Sequence, residues 1–255
     1  MSQQHILKNV RLFAGAADLT GQSNKVELSG EFEEKDVTTF GSYDPATDSI
    51  WKEVRAGLGS AKLTASGHWQ AGDVGLVDDD AWAALGGIGA WTVCPVSATP
   101  GGLAYIVNGL RSTYKLGGGV GDVAPWDGAA SGTWPLARGL SAHGPATART
   151  TTGAGTAITL PAVSATQQLI ASLHVLSVAG TGTPTITVKV QSAPDGTFAA
   201  PTDRLMFSPA TVRGGQILRA LGPITDTSYR VSWTITGTGP SFLFVAAIGI
   251  SGPPA

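Results

Sequence analysis

Apolar and polar residues alternate with a period of two in many short segments of this sequence. In TITVKVQS (185–192) every second residue from Ile186 to Val190 is apolar, and SYRVSWTIT (228–236) and SFLFVAAIGI (241–250) repeat the pattern. Turn phrases such as PDG and GTGP separate these segments. Side chains of a strand point alternately to two faces, whereas a helix buries one residue in every three or four. The pattern predicts a mainly β fold.

The same pattern predicts strands in the first part of the chain. Candidate strands cover 5–13, 24–40 and 61–73, and a long polar loop with Trp51 inside it covers 43–60. One segment, DDDAWAALGG (78–87), favours a helix. Asp78–Asp80 suit its N-terminal cap and the positive end of the helix dipole, and two glycines suit its end.

A composition change near the middle predicts two domains. GPATARTTTGAGT (144–156) is small and unpatterned, which is typical of a flexible linker. We therefore expect one domain at 1–145, a linker at 146–157, and a C-terminal β-sandwich of the immunoglobulin-like type at 158–255. Charged residues make up only 13% of the chain. Such a surface is easily covered by neighbouring subunits, although a genome favouring Ala and Gly codons would give the same composition.

The sequence also limits the cellular setting. The start MSQQHILKNV lacks the apolar core of a signal peptide, and no apolar run is long enough to span a bilayer. Cys94 is the single cysteine, so no intrachain disulfide forms, and its place before a proline favours a small buried side chain. We expect synthesis in a cytoplasm, no membrane insertion, and no sequence-specific DNA binding, because no basic patch is present.

Few residues suggest chemistry. The carboxylates at 31, 33, 34 and 36 come from one strand without a Gly-centred loop, so Ca²⁺ binding is disfavoured. The histidines His5, His68, His143 and His174 lack metal-ligand spacing. LGGGVGD (116–122) lacks the Lys-Ser/Thr of a phosphate-binding loop. We predict no catalytic residue, no cofactor and no metal, and hence no enzyme.

The tryptophans leave two alternatives open. Trp69, Trp91 and Trp233 lie in strand patterns and are expected in the core, whereas Trp51, Trp126 and Trp134 lie in predicted loops. Exposed loop tryptophans suit either stacking on sugar rings or protein–protein contacts. A virion or cell-surface carbohydrate-binding β-sandwich protein is therefore the alternative function.

The segment LSGEFEEKDVTTFGS (28–42) combines a strand pattern with a cluster of acids. Its alternation predicts two faces, Leu28, Gly30, Phe32 and Glu34 on one and Ser29, Glu31, Glu33 and Lys35 on the other. The acids could form a solvated face, ion pairs with lysines such as Lys25, Lys35 or Lys62, or a surface that meets a partner.

The order of these phrases resembles that of the tail tube (major tail) proteins of long-tailed, siphovirus-type bacteriophages. The likeness covers most of 1–145 and rests on a long strand region closing near Asp36, Thr38, Thr39, Phe40 and Gly41, on a return strand with Gly57, Leu58, Ser66, Gly67 and Asp73, and on GDVAPWDGAASGTWPLARG (121–139). The part after 158 resembles the β-sandwich appended to some phage tail proteins.

This resemblance implies a tail-tube-type β-sandwich or half-barrel with one short flanking helix, followed by a smaller Ig-like β-sandwich. It further implies a virion protein, made in a bacterial host, that forms homo-hexameric rings stacked into a tube. Its implied partners are other tail proteins, such as the tape measure and the terminator, and DNA passing through the lumen. Acids facing the lumen would repel phosphates, which makes Glu31 and Glu33 candidate lumen residues. Candidate residues for contact between rings are Asp44, Asp48, Trp51, Lys52, Glu53 and Arg55.

Overall fold

The computed structural model describes residues 7–73 and 75–252. The chain is mainly β, with 60% of residues in strands and 4% in helices, and it has one α-helix. The sequence prediction of a mainly β fold with one short helix is thereby confirmed.

Eleven elements form the first part of the chain. They are β1 (Arg11–Ala14), β2 (Ala17–Asp18), β3 (Ser23–Asp36), β4 (Tyr43–Asp44), β5 (Ser49–Ile50), β6 (Val54–His68), α1 (Val77–Ala83), β7 (Ile88–Cys94), β8 (Leu103–Leu116), β9 (Pro125–Gly132) and β10 (Ala137–His143). A short 3-10 turn covers Phe40–Ser42.

Six strands form the second part, two of them very long. They are β11 (Gly153–Ala154), β12 (Ile158–Thr159), β13 (Gln168–Ala193), β14 (Thr202–Met206), β15 (Gly214–Leu221) and β16 (Ser228–Ser251). All pairings are antiparallel.

All strands except β4 and β5 belong to one hydrogen-bonded sheet, which forks at β8. One edge of β8 pairs with β7. The other edge pairs with β10 near its start and with β9 towards its end, because Tyr105 and Gly109 each pair on both sides. From β9 the sheet continues to β6 and β3, and from β10 it continues to β16 and β13. The first branch ends at β3, which pairs with β6 alone among the described strands.

The long strands β13 and β16 fold over to make a sandwich. Leu169 to Val175 and Ile186 to Val190 lie at opposite ends of β13, yet their alternate side chains enter the same core cluster. The ribbon therefore bends between them, where register shifts occur near Thr181 and where Gly180 and Gly237 have positive φ. Side chains from both layers fill the space between, as in other sandwiches.

A shared core joins the two parts. One cluster contains Phe13, Cys94 and Ile106 from the first part together with Val245 and Ala247 from β16. Cys94 is fully buried, as predicted, and burial raises the pKa of its thiol to about 12.

Residues 146–157 do not form the flexible tether expected from their composition. Arg149 exchanges backbone hydrogen bonds with Phe242, and β11 pairs with β16 at Trp233. The small residues of this stretch allow its backbone to lie close against β16, so composition alone is misleading here. The division into domains at 1–145 and 158–255 stays a prediction.

Several element boundaries differ from the sequence prediction, among them the following three. The first strand covers Arg11–Ala14 rather than 5–13, of which 5 and 6 lie outside the described residues. The helix is capped by Leu76 without a side-chain bond, so Asp78–Asp80 occupy its first turn instead of the cap. β6 begins at Val54, so the stretch 54–60 of the predicted loop is strand. Its Gly and Ala residues carry a weak apolar pattern that pairing with β3 overrides.

Candidate assembly surfaces

The most exposed feature of the chain is the outer part of the β3–β6 hairpin, residues 29–60, here called the arm. All of these residues are described, and none is buried. Strand pairing continues to Asp36 opposite Val54, so the paired part of the arm, from Ser29 to Asp36 in β3, is about 25 Å long. A two-stranded ribbon without a packing layer is marginally stable on its own. The arm is therefore a surface that needs a partner.

Local hydrogen bonds order the tip of the arm. The Thr39 hydroxyl accepts a bond from the Gly41 N–H at 3.2 Å, and the Ser42 hydroxyl accepts one from the Thr39 N–H at 3.2 Å. The Tyr43 hydroxyl donates to Asp48 at 2.9 Å across the small β4–β5 hairpin. Hydrogen bonds from Thr38 also lower the pKa of Asp36. The tip thus has a defined shape before any partner covers it.

One face of the arm continues the core face of the sheet. Val26 and Leu28 pack against the core of the first part, and Gly30 lies against Leu136. The next residue on this face, Phe32, is 68% exposed, and Val54 farther out is exposed as well. The apolar stripe therefore runs past the body of the protein into solvent. An uncovered apolar stripe of this kind marks an interaction site.

The opposite face of the sheet is polar and carries both signs of charge, and we call it the polar face. Lys25 pairs with Glu27 at 2.7 Å, and Lys35 donates to Glu33, so two acids have neighbours of opposite charge on their own strand. Glu31 lies between these pairs and has no ion-pair partner among the described residues. Across the neighbouring strands the face adds Lys62, Asp127 and Lys115.

The structure places the six predicted ring-contact residues on the arm. Asp44 accepts a bond from the Ala46 N–H in the tip turn, Asp48 accepts one from the Tyr43 hydroxyl, and Trp51 is 77% exposed. Lys52 lies 3.9 Å from Glu34, and the Glu53 N–H donates to the Thr38 hydroxyl at 2.9 Å. Arg55 is part of β6, opposite Lys35, rather than in the loop. Their role in ring contact stays a prediction, as does the lumen position of Glu31 and Glu33.

A second exposed apolar group lies where α1 meets β7. Trp82, Leu85 and Ile88 are 67%, 44% and 61% exposed, and we call them the α1 patch. α1 leans on β8 through an edge contact between Trp82 and Tyr114, whose ring centroids are 5.9 Å apart. The helix carries acids at its start, including exposed Asp79. Sequence reasoning missed this patch, because the sequence does not show which side chains around α1 the fold leaves uncovered.

Buried histidines lie deeper in the fold, and one of them joins the two parts. His174 in β13 donates from Nδ1 to the Gly15 carbonyl oxygen at 2.9 Å, since a carbonyl can only accept. Its Nε2 therefore accepts from the Thr92 hydroxyl at 2.8 Å, and Ser172 donates in turn to Thr92 at 2.7 Å. Burial lowers the pKa of His174 to about 4, so the ring is neutral.

His143 is held in a similar way. Its Nδ1 donates to the Phe244 carbonyl oxygen at 3.0 Å, and its Nε2 accepts from the Arg149 guanidinium at 2.9 Å. The ring stacks on Phe244 with centroids 4.0 Å apart. Burial lowers the pKa of His143 to about 4. Packing therefore explains His143 and His174, as expected for His174 from its strand pattern, whereas His68 is exposed and His5 lies outside the described residues.

The tryptophans divide differently from the prediction at one position. Trp91 and Trp233 are buried, as expected, and Trp69 is partly buried. Trp126, expected in a loop, lies in β9 and is fully buried, because its side chain lies on the face of β9 that packs against the core. Trp134 lies under the Arg219 guanidinium, 4.5 Å from the ring centroid. Trp51 and Trp82 are the two highly exposed indoles in the described part of the chain.

Residues 7–73 and 75–252 contain no group of three or more His, Cys, Asp or Glu side chains that could hold a metal ion. In the same residues, no helix has the length and apolar character needed to cross a bilayer. The Gly-rich stretch 116–122 joins β8 to β9, and Asp122 there accepts a bond from the Gly119 N–H at 3.2 Å.

No protein-family model matches the sequence, and no curated protein matches it. Several chains from solved structures resemble it, over about half of its length or over nearly all of it. A chain from the virion of a native gene transfer agent particle is 16% identical, with a TM-score of 0.40 over 52% of this chain and 97% of its own. A chain from the tail of an empty gene transfer agent particle with C6 symmetry is 19% identical, with a TM-score of 0.39 over 53% and 97%. The phage SPP1 Dit protein, described as a paradigm of hub adsorption apparatus, is 12% identical, with a TM-score of 0.36 over 95% and 99%. At these values the likeness assigns neither a family nor a function.

Proposed function

We propose that this chain is a structural subunit of a bacteriophage tail tube that assembles with copies of itself. The arm carries this proposal. An ordered ribbon whose apolar stripe continues from the core into solvent is only marginally stable alone and is stabilised when a second molecule covers it. A subunit that joins identical neighbours through two different surfaces forms rings or stacks. The resemblance of 1–145 to tail tube proteins supports the more specific proposal, a tube of stacked hexameric rings with a lumen that conducts DNA.

The polar face suits the lining of such a lumen. Its lysines lie beside or between acids, so its charge is nearly balanced. A strongly basic lining would bind phosphates by releasing counterions and would hold DNA back. Glu31, which lacks an ion-pair partner among the described residues, and Glu33 are the acids we assign to the lumen. Tape measure and terminator proteins would contact the tube at its centre and at its end.

Electron microscopy of the purified chain over a concentration series tests the proposal. We expect rings or tubes of uniform width with a central hole. Particles of monomer size at every concentration, also in the presence of a tail initiator complex, would contradict it. The variant E31K/E33K should still assemble but should retain DNA at low salt, with D122K/D195K, in two exposed turns outside the arm, as a control for the same change of charge.

The carbohydrate-binding alternative has less support. Of the three predicted loop tryptophans, Trp126 is in the core and Trp134 is covered by Arg219. Of these three, Trp51 alone stays highly exposed. A glycan array distinguishes the two functions, since a tube subunit is expected to bind no sugar on it.

A further inference from the structure

The arm and the α1 patch are two separate apolar surfaces left uncovered on the same chain. The most exposed apolar residues of the arm tip are Phe40 and Trp51, and the α1 patch presents Trp82. Within one chain α1 packs on β8, whereas none of the arm residues is buried by any described part of the fold. Two different surfaces that each need cover are what a head-to-tail contact between identical copies requires.

A cation next to Trp51 and an acid one helical turn from Trp82 have opposite signs, while the arm also carries Glu53 next to that cation. On the arm, Lys52 follows Trp51 directly, and Arg55 lies a few residues farther along β6. On α1, Asp79 precedes Trp82 by three residues, which puts both on one side of the helix. Lys52 is only loosely paired, 3.9 Å from Glu34, and Asp79 accepts one bond, from the Gly72 N–H at 3.1 Å. Both charges are therefore free to meet a partner.

We propose that the arm tip of one copy docks on the α1 patch of a second copy, with Trp51 against Trp82 and Lys52 near Asp79. This inference rests on the proposed function, since it names the surface that receives the arm during self-assembly. The apolar groups supply the buried contact, and the charge pair sets the direction and register of docking. The contact is heterologous, so each copy both gives an arm and receives one.

Cysteine cross-linking tests the contact directly. Cys94 is fully buried with a raised thiol pKa, so it contributes no background. I50C places a thiol on the arm tip and L85C places one in the α1 patch, both at exposed positions. Oxidation of a mixture should give disulfide-linked dimers of one copy of each variant, and neither variant alone should give them.

The possible outcomes separate this inference from the proposed function. Rings or tubes without mixed cross-links would overturn the docking contact and leave the tail-tube function intact. Failure of the unmodified chain to assemble at any concentration, with or without an initiator complex, would overturn both. Mixed cross-links in assembled particles would support both.

A charge swap provides the second test. K52E and D79K each place like charges at the contact and should raise the concentration needed for assembly about tenfold or more. The double variant K52E/D79K restores opposite charges and should return that concentration to the value of the unmodified chain. D195K, an exposed change in the β13–β14 turn, is the matched control. If the double variant needs a concentration for assembly as high as the two single effects together predict, the contact is contradicted.

Discussion

At the scale of single residues, Gly67 shows how closely two strands of the hairpin approach. A Cβ atom at this position would lie 1.9 Å from the Gln22 carbonyl oxygen. That oxygen accepts a hydrogen bond from the His68 N–H at 2.8 Å, beside a register shift between Ser23 and Lys25. The clash involves backbone atoms on both sides, so side-chain rearrangement cannot relieve it.

We therefore expect G67A to lower the free energy of unfolding by about 3 kcal/mol, because the base of the hairpin must move to admit one methyl group. Urea denaturation followed by tryptophan fluorescence measures the change. G21A is the matched control, since no atom lies within 4 Å of a Cβ placed there. Equal stability of the two variants would show that the strands separate more easily than the packing indicates.

The buried histidines predict sensitivity to acid. In the folded chain His143 and His174 have a pKa of about 4, below the ordinary value of 6.5. A depressed pKa means that the stabilisation is complete above pH 6.5 and is lost as the pH falls from 6.5 to about 4, since the unfolded chain takes up protons first. The loss is on the order of 3 kcal/mol for each histidine.

Urea unfolding at pH 7.5, 6 and 4.5 measures this loss. H174Q removes one titrating group, so its stability should depend less on pH, even though the lost hydrogen bonds lower its stability at pH 7.5. H68Q changes an exposed histidine and should follow the unmodified chain at every pH. An unchanged slope in H174Q would show that other groups carry the acid response.

At the scale of elements, the arm separates folding from assembly. None of residues 29–60 is buried, whereas Leu63 and Ala65, farther along β6, lie in the core. The Val37 N–H donates to the Glu53 carbonyl oxygen, so the two strands still face each other at this point. The tip beyond them can therefore be replaced without touching the core.

Replacing residues 38–52 by Asn-Gly should give a chain with nearly unchanged thermal stability that does not assemble, because a two-residue turn closes the hairpin and removes the apolar tip. Circular dichroism melting and sedimentation velocity measure the two effects. A matched control keeps the full length and changes only T47A in the tip turn. Long tubes formed by the shortened chain would contradict a role for the tip.

Much of the element pattern could be predicted from the sequence, but the pairing could not. Alternation identified the later part of β13 and both halves of β16. The acid-rich segment of β3 was assigned to the correct two faces, as the Glu33–Lys35 pair and the contact of Gly30 with Leu136 show. The fork at β8 arises because β10 and β9 pair with different stretches of one edge of this strand. Alternation with a period of two shows which residues share a face, but not which strands pair.

The candidate surfaces show the same limit. The candidate contact residues of the arm were chosen from the sequence because charge and Trp51 stand out in a polar stretch, and their role in contact stays a prediction. The α1 patch and the burial of Trp126 depend on which residues the fold leaves uncovered, and this is decided by tertiary packing. The segment 146–157 was misjudged because small residues suit both a free linker and a strand held close against β16.

At the scale of the whole molecule, the shared core predicts that both parts unfold together. Phe13 and Ile106 from the first part pack with Val245 from β16, and Thr92 and His174 join the parts by a buried hydrogen bond. Each part also has a cluster of its own, but separating the parts would expose the shared cluster, in contrast to two domains on a tether.

Calorimetry of the unassembled chain should therefore show one transition whose calorimetric and van't Hoff enthalpies agree. I106A, which removes buried atoms from the shared cluster, should lower the free energy of unfolding by about 2–5 kcal/mol and keep a single transition. I50A on the exposed arm tip should change it by less than about 0.5 kcal/mol. Two resolved transitions would show that the halves are independent.

The position of β16 has a consequence for the order of events on the ribosome. This strand leaves the ribosome after every other described strand, yet it supplies Val245 and Ala247 to the cluster that Phe13 and Cys94 occupy. At ordinary rates of translation, on the order of ten seconds pass between synthesis of β8 and of β16. A nascent chain therefore has its arm long before its body is complete. Completion of the shared cluster is timed by the last strand to emerge.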